Sequence, residues 1–250
     1  MHLVEQKFCA QCSKDELKPL RKRQHPSAFL KHLPFTIRMS LQYTVIPVTP
    51  FQQNCSVLWC THTREAVIVD PGGDLARIER CLAGEKLTPV RILLTHAHLD
   101  HVGGAAELAE HHDVPITGPH PEDRFWLDLL PDQCSLFGFP DCPPFLPDQW
   151  LHEGDSIRFG QETLAVRHCP GHTPGHVIFF HADSKLAMVG DVLFKGAIGR
   201  TDFPRGNHRQ LLQSIREGLF TLGDDVLFIP GHGPLSTLGE ERHHNPFVAE

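Results

Sequence analysis

The stretch Thr95-His96-Ala97-His98-Leu99-Asp100-His101 sets four metal-ligating side chains within six residues, directly after the apolar run Val90-Arg91-Ile92-Leu93-Leu94. At 3.6 residues per turn, side chains at 96, 98, 100 and 101 would spread around a helix axis, so the run suits a loop at the end of a strand. Val102-Gly103-Gly104 then supplies a turn, and residues 105–110 the start of a helix. Three imidazoles and a carboxylate exceed what one tetrahedral ion takes from a single segment. The arrangement points to two ions sharing the cluster.

Further candidate ligands stand at three later strand ends. Cys169-Pro170-Gly171-His172-Thr173-Pro174-Gly175-His176 follows a strand-like run at 163–167, Gly190-Asp191 ends the apolar run 186–189, and Pro230-Gly231-His232-Gly233 ends the run 226–229. Each time a strand stops at a Gly or Pro turn and presents one His or Asp, as catalytic groups do on a rigid scaffold. The recurrence carries the argument, since a single Pro-Gly-His says little.

The ordered set of Asp70, the 96–101 cluster, His172, Asp191 and His232 resembles the metallo-β-lactamase superfamily, over residues 41–245. Within it, the 169–176, 190–206 and 230–238 stretches look like the short bacterial type II glyoxalases, the hydroxyacylglutathione hydrolases. The resemblance implies an α/β fold, the αββα metallo-β-lactamase sandwich of two mixed sheets flanked by helices. It implies one metal on His96, His98 and His172, a second on Asp100, His101 and His232, and Asp191 bridging both. Two divalent ions are expected, zinc by default because hydrolysis needs no redox change; His and carboxylate donors also suit iron or manganese.

Composition sets the outer limits. The 250 residues, 40% of them hydrophobic, suffice for a full core and contain no apolar run long enough to cross a membrane. The net charge of −7 argues against nucleic acid as a partner. Eight irregularly spaced cysteines without a signal peptide read as reduced thiols in the cytoplasm. Nothing in the chain specifies an oligomeric state. Residues 1–38 hold eight Lys/Arg against three Asp/Glu and no apolar pattern, so they read as a basic disordered extension, with Met39, just before the first strand-like run, as an alternative true start. A zinc knuckle on Cys9, Cys12, His25 and His32 is disfavoured by the spacing of the two His, and an organelle-targeting peptide by Glu5, Asp15 and Glu16.

From residue 39 to 250 the pattern is one hydrolase domain. Strands are expected at 42–48, 55–59 and 66–69, with Asp74 capping a helix through Leu82. Helices are expected at 104–112, 122–130 and 208–219, and the Pro-rich 131–150 segment reads as a surface loop beside the site. Trp59, Trp126 and Trp150 read as packing residues.

The chemistry follows from the ligand set. Two cations a few ångströms apart lower the pKa of a bridging water, and the resulting hydroxide attacks a carbonyl carbon. Asp100 and Asp191 are the catalytic carboxylates, with Asp100 orienting that water or taking its proton. Cys169 reads as a packed thiol, because no side-chain nucleophile is needed. Asp70 reads as the acceptor that orients a ligand His, and His176 as an outer or structural group. His111, His112, His168, His243 and His244 read as surface or packing residues.

Substrate contacts fall on the loop after Asp191. Lys195 and Arg200 are the candidates, Arg200 matching the cationic anchor of larger glyoxalase II enzymes, whose guanidinium-type donors suit a carboxylate. Only 18 residues follow His232, so the helical C-terminal domain of those enzymes has no counterpart and an open pocket is expected. The reading is therefore a small-molecule hydrolase that cleaves S-lactoylglutathione or related acyl thioesters to thiol and hydroxy acid. The alternatives are a mononuclear-iron persulfide dioxygenase, which shares a Gly-Arg-Thr-Asp-Phe run like 199–203, a lactone or β-lactam hydrolase, and a non-catalytic binding module.

Overall fold

Three apolar surfaces, each drawn from alternate residues of the same strands, explain the layering. Leu58, Val67, Val69 and Leu93 face Leu164, Val166, Phe179 and Met188 across the space between two sheets. Their neighbours Val57, Ile68 and Ile92 face the other way, onto Ile78, Leu82, Leu108 and Leu127. On the far side Ile178, Ala187, Val189 and Phe228 pack under Leu211, Ile215 and Leu238. Because successive strand residues point to opposite faces, strands covered on both sides are buried throughout, as every residue of Gln53–Cys60 is.

The computed structural model describes residues 40–139 and 142–249. The extension at 1–38, with its Cys9, Cys12, His25 and His32, lies outside the described residues.

The first sheet runs β1 (Leu41–Val48), β2 (Gln53–Cys60), β3 (Glu65–Val69), β4 (Thr88–Leu93) and β5 (Ile116–Thr117) in spatial order. β1 to β3 pair antiparallel, and β3, β4 and β5 pair parallel. The second sheet takes β6 (Ser156–Phe159), β7 (Glu162–His168), β8 (Val177–His181), β9 (Leu186–Gly190), β12 (Leu227–Pro230) and β13 (Ser236–Thr237). Only β9 and β12 pair parallel there. The short hairpin of β10 (Leu193–Phe194) and β11 (Ala197–Ile198) stands apart from both.

The helices α1 (Leu75–Glu85), α2 (Leu99–Val102), α3 (Ala105–His112), α4 (Arg124–Asp128) and α5 (Leu130–Phe137) follow the first sheet, and α6 (His208–Gln213) and α7 (Leu238–His244) the second. Local chemistry sets several ends. Asn207 and Thr237 cap α6 and α7 by accepting the Gln210 and Glu240 N–H groups. In α7, Glu240 and Glu241 open the helix and Arg242, His243 and His244 close it, matching its dipole.

Four expectations need correction. Asp74 does not cap α1 with its side chain: its carboxylate accepts the Thr49 N–H at 2.9 Å, and the helix continues past Leu82 to Glu85. The expected helix at 122–130 is broken at Leu129 into α4 and α5. α5 occupies part of what reads as a loop, because Pro131 sits in its first turn, where the missing N–H has no intrahelical acceptor to lose. The expected helix at 208–219 keeps α-helical geometry only to Gln213, and Ser214–Leu219 widens to an i→i+5 turn pattern.

Phe179 is fully buried between the sheets. Phe179→Ala should lower the unfolding free energy by roughly 3–5 kcal/mol through lost contacts and the cavity left behind, read from the shift of the urea midpoint at fixed metal concentration.

Candidate metal centre

Five strand ends converge on one edge of the sandwich. β3 leads to Asp70, β4 to His96, β7 to His172, β9 to Asp191 and β12 to His232. Main-chain bonds fasten the two sheets together there: Asn54 N–H to the Gly231 carbonyl (2.7 Å) and Val177 N–H to the Thr95 carbonyl (2.8 Å), while Gly231 N–H to Gly190 (2.7 Å) ties the ends of β12 and β9 within the second sheet. The Asn54 side chain adds bonds to the carbonyls of Pro230 (3.0 Å) and Gly233 (2.9 Å), which hold the His232 turn.

The structure brings together all seven residues proposed as ligands. His96, His98 and His172 form one group of donors, and Asp100, His101 and His232 another, the ligand atoms of each lying within 4.8 Å of one another. His98 Nδ1 and His172 Nε2 face each other at 3.0 Å, and His232 Nε2 lies 3.1 Å from Asp100 Oδ2. Asp191 stands between the groups. Its Oδ2 lies 3.6 Å from His172 Nε2 and 3.7 Å from His232 Nε2, and its Oδ1 lies 3.4 Å from His101 Nε2. With metal–nitrogen bonds of about 2.0–2.1 Å, a tetrahedral site places its donors about 3.4 Å apart, and these separations bracket that value.

Hydrogen bonds on the outer side of each ring choose the nitrogen that faces inward. His101 Nδ1 donates to Asp70 Oδ2 at 2.9 Å, His172 Nδ1 to the Arg200 carbonyl at 2.7 Å, and His232 Nδ1 to the Phe51 carbonyl at 3.2 Å. Thr95 Oγ1 donates to Asp70 Oδ2, so it accepts from His96 Nδ1 at 3.1 Å. In these four rings Nε2 is the nitrogen turned to the centre, whereas His98 presents Nδ1, 3.0 Å from His172 Nε2. Asp70 also accepts the Thr95 N–H at 2.7 Å, so it serves as the orienting acceptor. His176 is likewise an orienting group, its Nε2 accepting the Asp191 N–H at 3.0 Å.

The buried Nε2 atoms of His96 and His101 and Oδ1 of Asp191 have no hydrogen-bond partner among the described residues. Orphan polar atoms are costly when buried, and those of one donor set turned toward a common point fit divalent cations. Charge acts in the same direction. Burial holds the imidazoles of His96, His98 and His172 below their ordinary pKa, leaving them neutral with lone pairs available. Burial would do the same to His101, but the carboxylates of Asp191 and Asp100 outweigh it and hold that ring well above the usual range. For His232 the hydrogen bond that the protonated ring donates to Asp100 and the charge of Asp191 likewise outweigh burial. Burial opposes the charge of Asp191 too, yet His101, His172 and His232 hold its carboxyl far below the usual carboxylate range. Cation binding at this half would therefore release protons.

Two glycines are required by close approach. A Cβ on Gly231 would lie 2.0 Å from Asp191 Oδ1, and one on Gly72 would lie 1.5 Å from the Asp100 carbonyl oxygen.

Some supporting residues carry no signal in the sequence. Asp123, far along the chain from any ligand, accepts the Ala97 N–H (3.0 Å), the Thr173 hydroxyl (2.8 Å) and the Gly175 N–H (2.6 Å). It thereby joins the loop of His96 and His98 to the loop of His172. Burial pushes its carboxyl up to about 7, against these three bonds. Gln133, in the segment expected to be a loop, accepts the Leu99 N–H at 3.0 Å.

Trp126 meets His98 edge-on at 4.6 Å, and Phe203 stands 4.8 Å from His98 and 5.6 Å from His172. Arg200 and Lys195 are both exposed on the 194–203 loop. Arg200 is engaged by Asp202 through two bonds of 2.8 and 3.0 Å. Cys169 is buried, with its thiol pushed up to about 12, and it packs in the core under α6. The other histidines sit apart: His112 pairs with Glu79, His168 stacks on His120, and His243 and His244 close α7.

The sequence profile of the Metallo-beta-lactamase superfamily matches residues 48–232. The chain is 46% identical over 205 residues to the hydroxyacylglutathione hydrolase GloC of Haemophilus influenzae, covering 82% of this chain and 96% of that protein. Among solved structures it resembles the B3 metallo-beta-lactamase BLEG-1, with 39% identity, a TM-score of 0.78 and coverage of 84% of this chain and all of that one. It also resembles TTHA1623 in a di-iron-bound form, with 35% identity, a TM-score of 0.74 and coverage of 82% and 100%.

Asp123→Ala should weaken metal retention by about 10–100-fold, the usual cost of losing a group that orients ligands. Competition with a chromogenic chelator measures this, and an unchanged affinity would reject the role given to Asp123.

Proposed function

The chain belongs to the metallo-β-lactamase superfamily and is a metallohydrolase of that fold, and we propose that it hydrolyses acyl-glutathione thioesters, S-lactoylglutathione first among them. The observation that carries this reading is Asp191, flanked on one side by His96, His98 and His172 and on the other by Asp100, His101 and His232. Two complete donor sets around one carboxylate suit two divalent ions, with zinc as the proposed metal. The identity to GloC over nearly its whole length supports the thioester.

Two divalent cations held there would supply a water acidic enough to ionise near neutral pH and positive charge to polarise the carbonyl oxygen. The protein's own groups do the rest. Asp100, beside His232 and His101, is assigned to orient that water and receive its proton. Asp70 keeps His101 in the required tautomer through Nδ1, and His176 holds the Asp191 main chain. Trp126 and Phe203 cover the His98 and His172 side and limit bulk water there. Lys195 is assigned to contribute positive charge near the mouth for the anionic thiol half, and Arg200, paired with Asp202, to hold His172 through its carbonyl. Cys169, buried and held protonated, takes no part as a nucleophile.

A β-lactam hydrolase is the second reading, favoured by the similarity to BLEG-1. A dioxygenase with a single iron leaves Asp100, His101 and His232 without employment.

Thiol release from S-lactoylglutathione, with metal counted on the same sample, tests the proposal. Chelator-sensitive release with about two metals per chain is expected; release of no thiol alongside cleavage of a β-lactam would favour the second reading. Asp191→Ala and His98→Ala should each lose metal and fall to the chelated baseline. Full activity in either metal-depleted variant would refute the mechanism.

A further inference from the structure

Arg205 is an exposed cation beside the cleft whose backbone conformation is unusual for its residue type. Its φ of 62° places it in the left-handed region, which glycine enters freely and an L-residue does not. The adjacent Gly206 donates its N–H to the Phe203 carbonyl at 2.8 Å, closing a tight turn.

The guanidinium carbon lies over the Phe125 ring, 4.2 Å from its centroid. Phe125 lies 5.1 Å from Trp126, and Trp126 lies 4.6 Å from the ligand ring of His98. Three short steps thus separate the guanidinium from the metal-side histidines. A thiol-bearing residue anchored by its sulfur at the metals leaves about 3.3–3.6 Å of chain per further residue to run along this aromatic wall toward a terminal carboxylate.

The two arginines of this loop differ in what they have left to offer. Arg200 spends its fork on Asp202, with Nε donating to Oδ1 at 3.0 Å and an Nη to Oδ2 at 2.8 Å. Its carbonyl meanwhile orients His172. Arg205 has no carboxylate partner among the described residues, and its guanidinium lies over Phe125 instead of against an acid. A planar fork held in place by an aromatic face, with its donors unspent, suits a carboxylate.

We propose that Arg205 is the specificity-determining residue that receives a carboxylate of the thiol half of the substrate, while Arg200 supports the site through its own loop. This rests on the thioesterase reading for the identity of the substrate. It does not depend on turnover, because the contact forms with the bound thiol half alone.

The test compares wild type, Arg205→Gln, Arg205→Lys and Arg200→Gln on two lactoyl thioesters, one of glutathione and one of N-acetylcysteamine, which has no carboxylate. Arg205→Gln should raise KM for the glutathione thioester about tenfold relative to the neutral one, the effect of one charge-assisted contact. The difference should shrink as ionic strength rises. Arg205→Lys should recover part of it, and Arg200→Gln should shift the ratio less. An equal change on both thioesters, or no change, overturns the proposal. Calorimetric binding of S-methylglutathione to the metal-loaded protein separates the two claims. Weaker binding by Arg205→Gln supports Arg205 even if no thioester is cleaved. Equal binding by both proteins, or none by either, overturns it.

Discussion

Seven donors that face one another, rather than partners of their own, are the constraint around which this fold is arranged. Five imidazoles and two carboxylates share one edge of the sandwich, and four of their buried polar atoms, Nε2 of His96, His98 and His101 and Oδ1 of Asp191, have no hydrogen-bond partner among the described residues. Such a cluster is stable only if something else satisfies it, and cations do so for both charge and lone pairs. The outer bonds of the cluster all point the same way. Asp70, Thr95 and the carbonyls of Arg200 and Phe51 take up the outer nitrogens, so the inner ones have nothing else to bind.

The scaffold serves that edge. Strands from both sheets end there, and the sheets are fastened to each other by the main chain of Asn54, Gly231, Thr95 and Val177 rather than by the ligands themselves. Asp123 then joins the two loops that carry the first three histidines. Space is as strictly allotted as polarity. At Gly231 and Gly72 even a methyl group would displace a ligand-bearing segment.

Away from the metals the two sides of the cleft differ. Beside His98 and His172 stands an aromatic wall of Phe125, Trp126 and Phe203, with a guanidinium stacked on each end of it. One of those guanidiniums is neutralised by its own loop and the other is not. A pair of arginines five residues apart can therefore carry the same formal charge and have different capacities for binding an anion. Beside His232 lie Phe51 and Phe194, and the exposed Lys195 extends from the turn between β10 and β11.

Much of this was legible in the chain by itself. The residue types at 96–101, 172, 191 and 232, each after a short apolar run, state the metal chemistry and the strand-end geometry together, because ligand spacing and side-chain alternation are local properties. The unbroken apolar run of β9 likewise fits a strand buried on both faces, Leu186 and Met188 toward the other sheet and Ala187 and Val189 toward the helices outside. The sequence also separated Asp70 from the ligands by role, which the structure repeats in its three bonds. Tertiary structure decided the rest. That Asp123 binds the Ala97 and Gly175 amides, that Gln133 supports Leu99 from a helix that looks like a Pro-rich loop, and that Asp202 rather than solvent meets Arg200 follow from which surfaces fold against each other. No spacing rule encodes those choices. Local pattern sets what a segment can form, whereas the partner of a buried carboxylate is settled only when distant segments pack, and each then takes whichever donor lies within reach.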